Sequence, residues 1–419
     1  MSWTPISKAY VFATVDGEQR PMGVLAKDAA GFHFGYAKSW LAYQNAFSAD
    51  PLNLPLSQDL KSSRSLWGCF VDATPDNWGR KVILATHKQA PANEIEWLLV
   101  SRGTGSGCLS FSASRNTVLP AVEVPHFSDL AQLLELASDI EQGQYPDNLD
   151  WALAKLLTYG SSMGGARPKI TALLDGQQWI AKLSRHDDVF NQPRAEFASL
   201  MMAHDAGIPV PDTQLLEING QTVLLVRRFD RDSEKQAHYL SANALIAPTR
   251  MRDGDVDGPV SYLRLATVIQ KVSKNASADL GDLFRRIVFN IAIGNTDDHL
   301  KNHGFIHQGN DQYRLSPAFD LLPHPDQTAE LALVAGALGR AASFPNALSM
   351  CERFGLTKPD AASVIREVVA VTSRAANYFR DAGMSPLDVI VLTAACNRSQ
   401  AGLDEVQSAM LPSPAPGPR

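Results

Sequence analysis

The chain has 419 residues, 45% of them hydrophobic and 20% charged, an ordinary globular composition with room for two or three domains or for one domain split into lobes. A formal net charge of −6 leaves no basic footprint, which disfavours direct contact of this chain alone with a nucleic-acid backbone. The four cysteines, Cys69, Cys108, Cys351 and Cys396, form no CxxC pair and no zinc-ligand spacing, so they read as buried thiols in a reducing cytoplasm.

Residues 1–125 read as a β-rich subdomain. AYVFATV and the segment around GVLA flank the turn-rich DGEQR, and FHFGY alternates aromatic and small residues, so residues 9–35 are expected as a strand meander. The N-terminus lacks a basic stretch followed by an apolar one and is not read as a signal peptide. Residues 50–70 are rich in Pro, Ser and Leu and read as irregular. ATPDNWGRKVILATHK opens a helix at Pro75-Asp76-Asn77, and TGSGCLSFS is a Gly-rich loop entering a strand.

Residues 126–233 read as an α+β lobe on an antiparallel sheet. The spacing predicts a helix from Phe127 to Gln142, with Ser128 as N-cap and Leu130, Leu133, Leu134 and Ala137 on one face. QGQYPDN is a linker, and a second helix covers Leu149–Leu157. The strands ITALL and WIAKL are joined by DGQQ. PRAEFASLMMAHDAG is a helix closed by Gly207, and TQLLEI and TVLLVRRF flank the hairpin dipeptide Asn219-Gly220.

Residues 234–411 turn mostly helical, through SYLRLATVIQKV, LGDLFRRIVFNIAI, a long helix over 358–381 with Val364, Val368, Val371 and Ala375 spaced for burial, and SPLDVIVLTAAC. A polar loop (247–260) and a short hairpin (GFIHQ–GND–QYRL) interrupt them. Residues 412–419 are a Pro-rich disordered tail. No apolar run reaches the roughly 18 residues of a membrane span.

The string GNTDDHLKNHGF (294–305) carries the most chemistry. Phosphoryl transfer needs a carboxylate to orient an incoming hydroxyl and take its proton, and a side-chain oxygen to hold Mg2+ on the phosphates. In protein kinases one loop supplies both, as an Asp with an Asn five residues later. Asp297 and Asn302 have that spacing, whereas Asp298 stands at four. After the hairpin, Asp320 in AFDLLPH stands where a second Mg2+-binding Asp is expected. His299 reads as a brace of the loop, with metal ligation as the alternative.

Upstream, Ser161-Ser162-Met163-Gly164-Gly165-Ala166-Arg167-Pro168-Lys169 is a candidate phosphate loop, since glycine lets backbone N–H groups approach an anion. It is neither a Walker A loop, because Ala166 stands where Lys is required, nor GxGxxG. Lys182 sits in an apolar strand, where a charge is costly unless it is paired or meets an anion. Glu196, on the next helix, is its candidate partner. Arg227, Arg228 and Phe229 end the last strand of the lobe, at the position of a nucleotide-binding hinge.

In order and spacing, SSMGGARPK, IAKL, RAEF, LLVRRFDR, NTDDHLKN and LSPAFDL resemble the HipA family, the kinase toxins of bacterial toxin–antitoxin modules. The Val15–Leu25 meander, ATPDNWGRKVI and GTGSGCLSF resemble the family's extra N-terminal subdomain. The resemblance implies an α+β, two-lobed protein-kinase-like fold with an extra N-terminal β-rich subdomain and a mostly helical C-terminal lobe. It implies ATP and Mg2+ as cofactors, Asp297 as catalytic base, Asn302 and Asp320 on the metal, Lys182 on the ATP phosphates, and Ser162, in a loop completed by Met163, Gly164, Gly165 and Ala166, as an autophosphorylation site. It further implies a protein substrate such as an aminoacyl-tRNA synthetase, a small helix-turn-helix antitoxin like HipB that brings the DNA contacts, and a cytoplasmic location. Two departures stand out: Arg167 replaces a Gln found in the family's loop, and Asp298, in place of a Gly in some members, is expected to add only a local charge. A catalytically silent kinase-fold module acting as co-repressor is the alternative reading.

Overall fold

Alternation and turn chemistry build the first sheet. In the computed structural model, β1 (Lys8–Val15) and β2 (Glu18–Asp28) meet at Asp16-Gly17, whose φ angles of 52° and 77° are those of a hairpin turn that matches strand twist. β1 buries Val11, Phe12 and Ala13 in succession, and its register with β2 shifts at Val11/Phe12. β3 (Gly31–Tyr36), β4 (Lys61–Ser63) and β5 (Leu109–Ser112) complete an antiparallel sheet of order β4-β3-β2-β1-β5. The stretch expected as irregular thus contributes an edge strand and a short helix, Gly68–Val71.

The structure describes residues 5–86, 90–101, 103–116, 124–144, 156, 157, 159, 167–232, 235–247, 260–325, 329–397, 403 and 406. The Gly-rich loop Ser161–Ala166, most of the helix expected at Leu149–Leu157, most of the 247–260 loop and the 412–419 tail lie outside them. The chain divides into two units. The first comprises Met1–Val189, Pro211–Ala247 and Gly304–Ser316; the second comprises Phe190–Val210, Pro248–His303 and Pro317–Arg419.

The first unit also holds the sheet β6 (Lys169–Leu174), β7 (Gln177–Leu183), β8 (Thr213–Ile218) and β9 (Gln221–Arg227), in the antiparallel order β6-β7-β9-β8. Asn219 and Gly220, both at positive φ, close the β8–β9 hairpin as their identities predict. One face of this sheet places Ile170, Trp179, Ala181, Leu183, Val223 and Leu225 in a core with two helices, Asn77–Thr86 and Leu130–Glu141. Trp78 inserts there, and its indole N–H donates to the Lys169 carbonyl at 2.9 Å. The second helix is entered through a 3-10 turn, Phe127–Asp129, where the Asp129 carboxylate accepts from the His126 N–H. The cap therefore lies two residues before the expected Ser128. A third sheet, β10 (Tyr239–Ser241), β11 (Gly304–His307) and β12 (Tyr313–Leu315), contains the expected hairpin and adds a strand to it.

A buried ionic network ties the end of β9 to the Gly-rich segment before β5. Asp230 accepts from Arg228 at 2.7 Å and from the Gly107 N–H at 2.8 Å, while Arg228 and Arg231 donate to the Gly105 carbonyl. Both guanidinium groups are almost wholly buried. Burial alone would push the Asp230 carboxyl up, but the charges of Arg228 and then Arg231 outweigh it and hold it at about 2.

The second unit surrounds the helix Ala276–Ile293, which is buried nearly all round through Leu283, Phe284, Ile287, Val288, Phe289 and Ile291. The helices Tyr262–Val272, Lys358–Thr372 and Pro386–Asn397 pack on it. The long helix expected over 358–381 is two, Lys358–Thr372 and Ala375–Asp381, broken at Ser373-Arg374. Its inward face uses Ile365, with Val364 only half-buried. All four cysteines are buried, and none is joined in a disulfide. Among the described residues, no helix is long and apolar enough to cross a membrane.

Removing one member of a buried ion network leaves the others uncompensated. Asp230→Ala should therefore cost about 3–5 kcal/mol, read as a lowered thermal midpoint by circular dichroism. Because the folded carboxyl sits below its ordinary 3.8, its contribution is complete above that value and is lost as pH falls toward about 2. Asp230→Asn should accordingly flatten the acid dependence of stability in that window.

Candidate active site

Glycine makes the loop possible. The helix Ala276–Ile293 stops at Gly294, in the left-handed region at φ 69°, and the Asn295 N–H folds back to the Asn290 carbonyl at 2.9 Å. The chain then runs through 295–299 into a 3-10 turn, Leu300–Asn302, closed by the Asn302 N–H on the His299 carbonyl.

Exposure along this loop alternates. Asp297, His299 and Lys301 face solvent, whereas Asp298, Leu300, Asn302 and His303 are buried. Burial thus separates the two adjacent aspartates that spacing alone had distinguished. Asp298 is 2% exposed, and one of its oxygens, Oδ2, accepts from Tyr262 Oη at 2.5 Å, Asn290 Nδ2 at 2.8 Å and His303 Nε2 at 2.9 Å. Asn290 in turn accepts from Asn295 Nδ2 at 3.0 Å. Burial would raise the Asp298 carboxyl, but the His303 charge and the hydrogen bonds from His303 and Tyr262 hold it below its ordinary value. Burial and the neighbouring Asp298 charge push the Tyr262 hydroxyl well above its own. The expectation that Asp298 adds only a local charge is corrected here: it is the hub that binds the loop to two helices.

The segment after Ala318 runs beside the start of this loop, because the His324 N–H donates to the Gly294 carbonyl at 3.0 Å and the Ala332 N–H to the Thr296 carbonyl at 2.9 Å. Asp320 lies in that segment, exposed and in the left-handed region at φ 60°. Aspartate enters that region more readily than most non-glycine residues, as Asp16 and Asp175 do in hairpin turns of this chain. Among the described residues, no three or more His, Cys, Asp or Glu side chains gather as a metal-holding group. The expected set is one amide and one carboxylate, Asn302 and Asp320. That set suits Mg2+, which takes few protein oxygens and completes its shell with phosphate and water.

In the first unit, Lys182 lies half-buried on β7, on the sheet face opposite the Trp78 core and across from Leu224. Its other cross-strand neighbour is Lys169, whose ammonium is buried against Asp76 at 2.5 Å. Glu196, on the helix Gln192–Asp205 of the second unit, is 8% exposed. Arg227 pairs with Asp212 at the end of β9. The Arg228 side chain is spent in the Asp230 network, while its backbone N–H donates to the Gln178 carbonyl. Phe229 follows directly. Ser162, Met163, Gly164, Gly165 and Ala166 lie outside the described residues. Arg167, the departure from the family's loop, donates twice to Asp188 at 2.8 and 3.0 Å.

Tyr262, Asn290 and His303 were not singled out from the sequence. Tyr262 is 36 positions from Asp298 and Asn290 is 8, each on a separate helix, so no local spacing signals them. Asn290→Ala removes one donor to a buried carboxylate and strands Asn295. It should cost about 1–3 kcal/mol, measured by thermal unfolding.

Two family models match the chain: the HipA N-terminal domain over residues 13–112 and the HipA-like C-terminal domain over 161–376. Among curated relatives, a Haemophilus influenzae protein named "Putative kinase" is 27% identical over 40% of this chain and 54% of its own length. Sinorhizobium fredii proteins named "Putative kinase Y4dM" and "Putative kinase Y4mE" are 30% and 23% identical, over 42% and 76% of this chain and 46% and 79% of theirs. The chain thus spans about half the length of the first two. Among solved structures, the fold is similar to HipA of Shewanella oneidensis MR-1, from a toxin–antitoxin complex with HipB and operator DNA. That match has a TM-score of 0.69, 19% identity, and coverage of 96% of this chain and 99% of that one. With a family model spanning more than half its length, this chain belongs to the HipA family.

Proposed function

We propose that the chain is an ATP- and Mg2+-dependent serine/threonine protein kinase, the toxin of a HipA-like toxin–antitoxin module. The observation that carries this reading is the outward Asp297, five residues before a buried Asn302, on a loop whose start is hydrogen-bonded to the segment holding Asp320. Bound ATP would supply the phosphoryl group and Mg2+ would neutralise its charge. Asp297 orients the substrate hydroxyl and accepts its proton. Asn302 and Asp320 would hold the metal, with His299 a brace of the loop or a further ligand. Lys182 offers its ammonium to the phosphates. Autophosphorylation at Ser162 is the off-switch.

A small helix-turn-helix antitoxin is the proposed partner. The Shewanella relative's complex with HipB and operator DNA supports this, as does the acidic balance of a chain that would meet DNA only through such a partner. The protein substrate is of the class of aminoacyl-tRNA synthetases.

The test incubates the protein with labelled ATP, Mg2+ and a cell extract, with phosphoproteins identified by mass spectrometry. Asp297→Gln should lower phosphate transfer by at least about 100-fold, the loss of general-base assistance, without a change in thermal midpoint. Undiminished labelling in that variant rejects the assignment. Lys182→Met should raise KM for ATP roughly 10-fold or more, as loss of a charge-assisted contact predicts.

A further inference from the structure

The bond between Asp298 and His303 repeats the spacing of the two reactive residues, one position on. Asp298 follows Asp297, and His303 follows Asn302. The Asp298 Oδ2–His303 Nε2 contact of 2.9 Å therefore closes the loop across the same five-residue span that separates the carboxylate from the amide. Both members are 2% exposed, so the closure is made away from water, where such a bond is strong and its loss costly. The same oxygen receives Tyr262 from the start of one helix and Asn290 from the last turn of another. In the second of those helices the surrounding positions are core. Leu300, at the middle of the span, is 4% exposed and pins its floor.

We propose that Asp298 and His303 form a positioning clamp that sets the separation of Asp297 and Asn302 and the outward aim of Asp297. Neither touches the reacting atoms. Their work is to convert a flexible loop into a fixed one, so that the base and the metal ligand are held before substrate arrives. The catalytic meaning of the clamp rests on the kinase reading above, whereas its effect on loop order does not.

The experiment compares wild type, Asp298→Asn, His303→Gln and the double variant. Asp298→Asn keeps the shape but sets an amide against three donors. Phosphate transfer and amide hydrogen exchange are measured on the same full-length samples. In either single variant kcat should fall about 100-fold, the scale of a 1 Å misplacement, with KM for ATP within about threefold of wild type. The double variant should lose no more than the worse single one, as partners in one unit do. Exchange should quicken over 295–304 while the helices Lys358–Thr372 and Pro386–Asn397 keep wild-type protection. Unchanged exchange in the loop overturns the clamp, as does an increase spread evenly over the second unit or a purely additive double variant. If wild type itself transfers no phosphate, the kinase reading fails on that result, and the exchange pattern still decides whether the clamp exists.

Discussion

A single carboxylate oxygen fixes the loop that follows the second unit's central helix. Asp298 Oδ2 accepts from a tyrosine, an asparagine and a histidine within 2.9 Å, almost out of water. An isolated buried carboxylate would be costly. Here three donors replace its hydration, and the loop can only be built with that oxygen turned inward. Once it is, Asp297 is left facing outward, and the 3-10 turn Leu300–Asn302 that follows carries Asn302 inward. The same constraint explains Gly294, because the chain must leave the helix in the left-handed region to bring Asn295 back onto Asn290.

The first unit meets a similar problem with the opposite sign. Two arginines are buried at the end of β9, and one aspartate with two backbone carbonyls of the Gly-rich segment accommodates them. The segment expected to serve as a nucleotide hinge is thus also the point where the N-terminal region is fastened to the four-stranded sheet.

Features with local causes were legible in the sequence. The Asn219-Gly220 turn, the alternation in β7, the helix stop at Gly207 and the five-residue spacing of Asp297 and Asn302 each follow from chemistry within a few residues. Features that depend on distant partners were not. Ser128 looked like a cap because its hydroxyl suits one, yet Asp129 reaches the earlier His126. Asp298 looked like a spare charge because its partners lie on other helices. The break at Ser373-Arg374 lies in a run without glycine or proline to announce it. Lys169 seemed an appendage of the Gly-rich loop, but Asp76, 93 positions away, explains it as half of a buried pair.

The placement of Trp78 bears on how such chains can change over time. Its indole lies in the core of a sheet whose strands begin some ninety residues later, and it donates to that sheet's first residue. The stretches matched by the N-terminal and C-terminal family models therefore share one hydrophobic interior. Recombination that joined the N-terminal half of one relative to the C-terminal half of another would have to match Trp78 and Val82 to Ile170, Trp179 and Val223 in volume. Mismatched halves would leave a void or a clash where neither parent has one.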